Sequence, residues 1–144
     1  MTEIKLDKKH TQSLKKRSLS MIIFLVLQYI FGMYINMFAA TPDQPEFKTE
    51  GMFPKIIFGL HGLLGLSLLI GSTVILIKGL KSDNQKIKKI SIYGFLGILL
   101  AFFAGICTVV LKDTAAEVSS YVMSLGFIVS LITYGKIYYS LKEE

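Results

Sequence analysis

Acidic side chains are absent from the most apolar parts of this chain. Only 18% of its 144 residues are charged, and four apolar runs, at 19–38, 56–77, 90–111 and 118–141, contain no Asp or Glu. Proton-coupled pumps and many transporters need an ionisable group deep within an apolar span, so ion-coupled transport is disfavoured. The same absence excludes a catalytic set of Ser, His and an acid within these runs.

Residues that commonly carry chemistry are scarce elsewhere too. Cys107 is the only cysteine, so no internal disulfide can form, and the two histidines are His10 and His61. The sequence has no Cys-x-x-Cys, no His-Glu-x-x-His and no glycine loop that leads a phosphate-binding helix. These absences favour a binding role over catalysis, and no residue is predicted to be catalytic.

The four apolar runs predict the fold class. Each has 20 to 24 residues, and about 20 helical residues, at ~1.5 Å each, cross a hydrocarbon core of ~30 Å. Backbone groups in hydrocarbon must hydrogen-bond within the protein, so the runs are predicted to be helices. Short connections favour antiparallel neighbours. We therefore expect an all-α, integral membrane, up-down-up-down four-helix bundle that forms one domain over residues 1–144.

The charges outside the runs alternate in sign. The net charge is +4 for 1–18, −1 for 39–55, +4 for 78–89 and −1 for 112–117. Lysine and arginine concentrate on the cytoplasmic side of membrane proteins, so both termini are predicted to be cytoplasmic, with 1–18 as a basic tail. The expected partners are the bilayer and its anionic cytoplasmic lipids, with no nucleic acid. Abundant Lys and Ile favour a bacterial plasma membrane.

Small residues recur at four-residue spacing in three of the runs. They are Ser67 and Gly71, then Gly97, Ala101 and Gly105, then Gly126 and Ser130. Small side chains let helix backbones approach closely where hydrophobicity cannot drive association. We expect these faces to pack inside the bundle, and a homodimer through the same faces is the alternative.

His61 is the one histidine within an apolar run. With the N-terminus in the cytoplasm, the second run begins at the outer face of the membrane. His61 lies five residues after this start, about 7–8 Å deep. Counting residues places Asn36, Thr108 and Ser124 in the same outer layer, with Gln28 in a second layer near the midplane. His61 could bond Asn36 and fix helix register, could ligate haem iron or another metal with Asn36 as second-shell acceptor, or could donate to a quinone or lipid headgroup.

Two methionines lie near this layer. Met33 and Met37 are one helical turn apart on the outer side of the first run. With His61 they form a soft-ligand set that Cu(I) accepts. Methionine is also ordinary packing material in apolar helices, so both interpretations stay open.

Three motifs follow one another between residues 25 and 65. They are a Gln-x-x-x-Gly at 28–32, a Pro-Asp-Gln-Pro at 42–45 and a His-Gly-Leu-Leu-Gly at 61–65. This order resembles one four-helix half of haem A synthase. The resemblance implies haem as a cofactor and His61 as an iron ligand. The family's second histidine, on the fourth helix, and its loop cysteines have no counterpart here. That leaves a haem with one histidine, or one shared across a dimer.

The chain also resembles small uncharacterised four-helix bacterial membrane proteins, which implies no function. The expectation is a binding or accessory protein with an outer-side pocket around Asn36 and His61 for a lipid, quinone or protein partner. One alternative is a haem-associated protein of electron transfer or haem handling, with His61 as axial ligand. The other is copper handling through Met33, Met37 and His61.

Overall fold

The computed structural model of the chain consists of four long α-helices. They are α1 (Thr2–Phe38), α2 (Met52–Leu80), α3 (Gln85–Val110) and α4 (Asp113–Ser140). The structure describes residues 2–38, 52–111 and 113–141, without the side chains of 2–10 and of a few other positions, including Asn36. The Pro-Asp-Gln-Pro motif at 42–45 lies outside the described residues.

Each of these helices is long and apolar enough to cross a membrane. The apolar spans have 25 to 27 residues and are Thr11–Ile35, Lys55–Leu80, Gln85–Val110 and Thr114–Ser140. At ~1.5 Å per residue each is roughly 40 Å long, which exceeds a hydrocarbon core of ~30 Å. The predicted all-α architecture is thus confirmed, and the length and composition of its four helices fit the predicted multi-pass membrane protein.

α1 extends well before its apolar run, into the segment that composition predicts to be a basic tail. Ser18 is fully buried in this part of the helix. Ser13 accepts a hydrogen bond of 2.6 Å from the Lys78 ammonium of α2. Lys15 lies 5.8 Å from the centre of the Tyr138 ring of α4. These contacts with two neighbouring helices stabilise the helical conformation where the sequence is polar.

The connections on either side of α3 are short. Asn84 caps the start of α3, because its side-chain oxygen accepts a hydrogen bond of 2.9 Å from the Lys86 amide. Such a cap satisfies one of the amides that a helix start leaves without an intrahelical partner. Leu111 ends α3 in an extended conformation, and α4 begins at Asp113. Most of 112–117 is therefore helical rather than a loop.

Each helix contacts two others, in the order α1, α2, α3, α4 and back to α1. Three contacts define one end of the bundle: Ser13 with Lys78, Lys15 with Tyr138, and Gly79 with Ser91. We call this the basic end, because the lysines of 78–89 belong to it, and we call the opposite end the far end.

Small residues bring α3 and α4 into close contact. A methyl group on Gly126 would lie 2.6 Å from the Gly97 carbonyl oxygen and 2.8 Å from the Ala101 nitrogen. Ser130 donates a hydrogen bond of 2.8 Å to the Gly126 carbonyl, and a methyl group on Gly97 would lie 2.5 Å from the Ser130 hydroxyl. The expectation that these residues pack within the bundle is confirmed. A homodimer through the same faces stays a prediction.

The apolar core lies toward the basic end. Its buried members are Leu14, Met21, Leu25, Leu68, Ile75, Ile87, Ile98, Tyr134, Ile137 and Leu141. The far end differs. Among the described side chains of 26–38, 52–67, 99–110 and 113–125, only Ile57 and Ala104 are buried. The helices are therefore closely packed at the basic end and loosely packed at the far end.

Candidate functional site

Gln28 and His61 form a polar side-chain pair between α1 and α2. The Gln28 amide nitrogen lies 3.1 Å from Nε2 of His61. An amide nitrogen can only donate, so Nε2 accepts, and the neutral imidazole then carries its proton on Nδ1. The pair lies at the boundary between the closely packed and loosely packed parts of the bundle, since Leu25 and Leu68 are buried on its basic side.

Two glycines make room for this pair. A methyl group on Gly32 would lie 3.2 Å from Cε1 of His61, and one on Gly65 would lie 3.5 Å from the Gln28 amide nitrogen. Each polar side chain therefore lies against the glycine of the opposite helix. Gln28 and Gly32 are four residues apart, as are His61 and Gly65, so each helix presents its polar residue and its glycine on one face.

The pair leaves two buried atoms without hydrogen bonds. Within the described part of the chain, neither Oε1 of Gln28 nor Nδ1 of His61 has a partner. Buried polar atoms are usually hydrogen-bonded, and leaving one unpaired costs about 1–3 kcal/mol. If the amide oxygen and nitrogen of Gln28 are exchanged, Nε2 of His61 donates to the oxygen instead of accepting from the nitrogen. Nδ1 is unpaired in either case. The site thus has hydrogen-bonding capacity that the described side chains do not use.

No hydrogen bond joins the described members of the polar layer expected from the sequence, which are His61, Thr108 and Ser124. The hydroxyls of Thr108 and Ser124 donate to carbonyls of their own helices, at 2.9 and 3.0 Å. The Asn36 side chain lies outside the described residues, so its bond to His61 stays a prediction. Gln28, which residue counting places in a separate layer, is the residue that pairs with His61. The shared four-residue spacing of Gln28 with Gly32 and of His61 with Gly65 was the signal for it.

The site does not fit a haem ligand as it is arranged. Nε2 of His61 is already bonded to Gln28. Nδ1 faces α1 and would lie 3.8 Å from a methyl group on Gly32. An iron atom on either nitrogen would have to displace Gln28 or separate the two helices, because a macrocycle is far wider than the space beside Gly32. The haem that the resemblance implies therefore does not fit the residues at this site.

The copper set is not gathered around His61 either. Met33 and Met37 are 45% and 67% exposed on the surface of α1, whereas the His61 ring lies against Gln28 and Gly32. Cys107 is exposed on α3. No group of three or more His, Cys, Asp or Glu side chains that could hold a metal ion occurs within residues 2–38, 52–111 and 113–141. Copper binding stays a prediction without support from this geometry.

No protein-family model, no curated protein and no solved structure matches the chain.

Proposed function

We propose that this chain is a membrane binding or accessory protein that performs no chemistry of its own. Its ligand would be an apolar molecule with a carbonyl group, either a quinone or a lipid. A single carbonyl oxygen, unlike a macrocycle, would need only a local separation of α1 and α2 beside Gly32 to accept a hydrogen bond from the Nδ1 proton of His61. The observation that carries this proposal is the buried Nδ1, which has no partner among the described residues. An unused buried donor is costly unless something occupies it.

The loose packing of the far end supports the same proposal. Only Ile57 and Ala104 are buried there among the described side chains. An isoprenoid or acyl chain could lie between helices that make few mutual contacts, and the polar pair at the base of this region would orient its head. Ligand sites in helical bundles commonly combine an apolar lining with a few directed polar groups.

Calorimetric titration of the detergent-purified protein tests this function. The probes are decyl-quinone and a short-chain diacylglycerol, which has ester carbonyls but no phosphate, each added to the wild type and to His61→Leu. We expect one of them to bind the wild type and to bind His61→Leu about tenfold more weakly, since a hydrogen bond of ~1.4 kcal/mol corresponds to that factor. Ser124→Ala is the matched control, because its hydroxyl bonds its own helix at the far end. If the wild type and His61→Leu bind the probe with equal affinity, the proposal is refuted.

The same proposal includes a topology. We infer an up-down-up-down arrangement with both termini in the cytoplasm of a bacterial plasma membrane. The contacts of Ser13 with Lys78 and of Lys15 with Tyr138 support it, as does the excess of lysine at the basic end. The far end would then face outward.

Cysteine labelling in intact cells tests this orientation. In a Cys107→Ala background, a cysteine at Ser82 should be protected from a membrane-impermeant maleimide, and one at Glu117 should react. Ser82 lies in the connection between α2 and α3, and Glu117 lies near the start of α4 and is exposed. Reaction at position 82 together with protection at 117 would reverse the proposed orientation.

A further inference from the structure

A shallow groove of about 360 Å³ lies along α1 at the basic end. The described residues that line it are Gln12, Ser13, Lys16, Arg17 and Ser20. None of these side chains is acidic, and four of them can donate hydrogen bonds outward. The fifth, Ser20, donates to the Lys16 carbonyl at 3.2 Å. Among the described residues, the groove is therefore lined by hydrogen-bond donors and positive charges without a compensating carboxylate.

The basic side chains near the groove differ in whether they face it. Lys15 is turned toward the Tyr138 ring of α4, away from the groove. Lys78 of α2 donates to the Ser13 hydroxyl at 2.6 Å, which brings a third positive charge to the groove's edge and leaves the Ser13 proton free to donate. Arg17 and Lys16 are exposed. The groove thus combines a guanidinium, which can bind two phosphate oxygens at once, with two ammonium groups.

The position of the groove in the membrane indicates what would bind there. Arg17 lies two residues before the apolar run, about 3 Å from its start. On the same side of α1, about two to three turns after Arg17, Ile23, Phe24 and Leu27 are exposed apolar side chains. A molecule with a phosphate at the level of Arg17 and an acyl chain along these residues would match both parts of the surface.

We propose that this groove binds the phosphate of an anionic phospholipid. The guanidinium of Arg17 would bind two phosphate oxygens, while Lys16, Gln12 and Ser13 would donate to the remaining oxygens. A zwitterionic lipid is disfavoured, because its ammonium group would lie beside Lys16 and Lys78. This site is separate from Gln28 and His61, so the proposal does not depend on the proposed function.

Native mass spectrometry of the full chain in detergent tests the proposal. The probes are phosphatidylglycerol and phosphatidylcholine with identical acyl chains. We expect Lys16→Gln/Arg17→Gln to weaken the tightest phosphatidylglycerol site about tenfold, because charge-assisted bonds to phosphate are strong. Lys88→Gln/Lys89→Gln removes the same charge from the basic end of α3 and should change that affinity less than about twofold. Phosphatidylcholine should bind all three proteins alike.

Two further measurements distinguish a specific lipid site from diffuse charge attraction and from a site for soluble anions. Arg17→Lys preserves the charge and the exposed surface but loses the two-oxygen geometry, so it should weaken phosphatidylglycerol about threefold without altering thermal unfolding. Inorganic phosphate at millimolar concentration should not displace the lipid. Equal losses in the two double variants would overturn the proposal in favour of diffuse attraction. Displacement by inorganic phosphate would overturn it in favour of a soluble anion site.

Discussion

Replacing both members of the Gln28–His61 pair should leave the protein at least as stable as the wild type, although replacing either one alone should destabilise it. The wild type has one hydrogen bond and two unpaired buried atoms at this site. Gln28→Leu removes the bond and leaves both imidazole nitrogens unpaired. His61→Leu removes the bond and leaves both ends of the amide unpaired. Each single variant should therefore lose about 0.6–1.7 kcal/mol, the range for bonds between membrane helices.

The double variant Gln28→Leu/His61→Leu differs in kind. It removes the bond and both unpaired atoms together, and replaces them with apolar groups of similar size. Since an unpaired buried polar atom costs about 1–3 kcal/mol, the double variant should be at least as stable as the wild type. The two substitutions should thus couple by more than about 1 kcal/mol.

Unfolding in mixed micelles with increasing mole fraction of sodium dodecyl sulfate, followed by far-UV circular dichroism, measures these differences. Ser67→Ala is the control, because the Ser67 hydroxyl bonds the Leu63 carbonyl of its own helix. It should change stability by less than about 0.5 kcal/mol. If the effects of Gln28→Leu and His61→Leu simply add, so that the double variant is the least stable, Nδ1 and Oε1 are satisfied in the folded protein and the reasoning fails.

Three other predictions concern different parts of the molecule. Gly126→Ala should destabilise by about 1–3 kcal/mol in the same unfolding assay, because its methyl group would lie 2.6 Å from the Gly97 carbonyl oxygen. Gly135→Ala, with open space around that position, should be neutral or stabilising. Asn84→Ala should cost about 1 kcal/mol through loss of the α3 cap, and Asn84→Asp should restore most of it. Protein purified from haem-replete cells should show no Soret band, since Gln28 occupies the His61 nitrogen that would bind iron.

The apolar runs were sufficient to predict the helices but not their ends. A run of about 20 apolar residues has few alternatives to a spanning helix, because lipid cannot satisfy backbone groups. The start of α1 could not be read in this way. Its sequence is polar and basic, and its contacts include those of Ser13 with α2 and of Lys15 with α4. Contacts between distant segments are not visible in local composition.

The site was half predictable for a related reason. His61 stands out as the one histidine in an apolar run, so it could be selected without a structure. Its partner depends on how α1 and α2 are rotated about their axes. Lipid is as apolar as the bundle interior, so hydrophobic periodicity does not indicate which face is inside. Residue counting gave depth alone and suggested Asn36, whereas close approach at Gly32 and Gly65 aligns Gln28 with His61.

The most direct test of the proposed binding site is ¹⁵N nuclear magnetic resonance of the His61 imidazole. In a His10→Gln variant, His61 is the only histidine, so its two ring nitrogens can be assigned without ambiguity. The proposal predicts a neutral ring protonated on Nδ1, and a shift of the Nδ1 resonance when the quinone or lipid that binds in the calorimetric titration is added. A ligand that binds while both imidazole resonances stay unchanged would contradict the claim that His61 receives it.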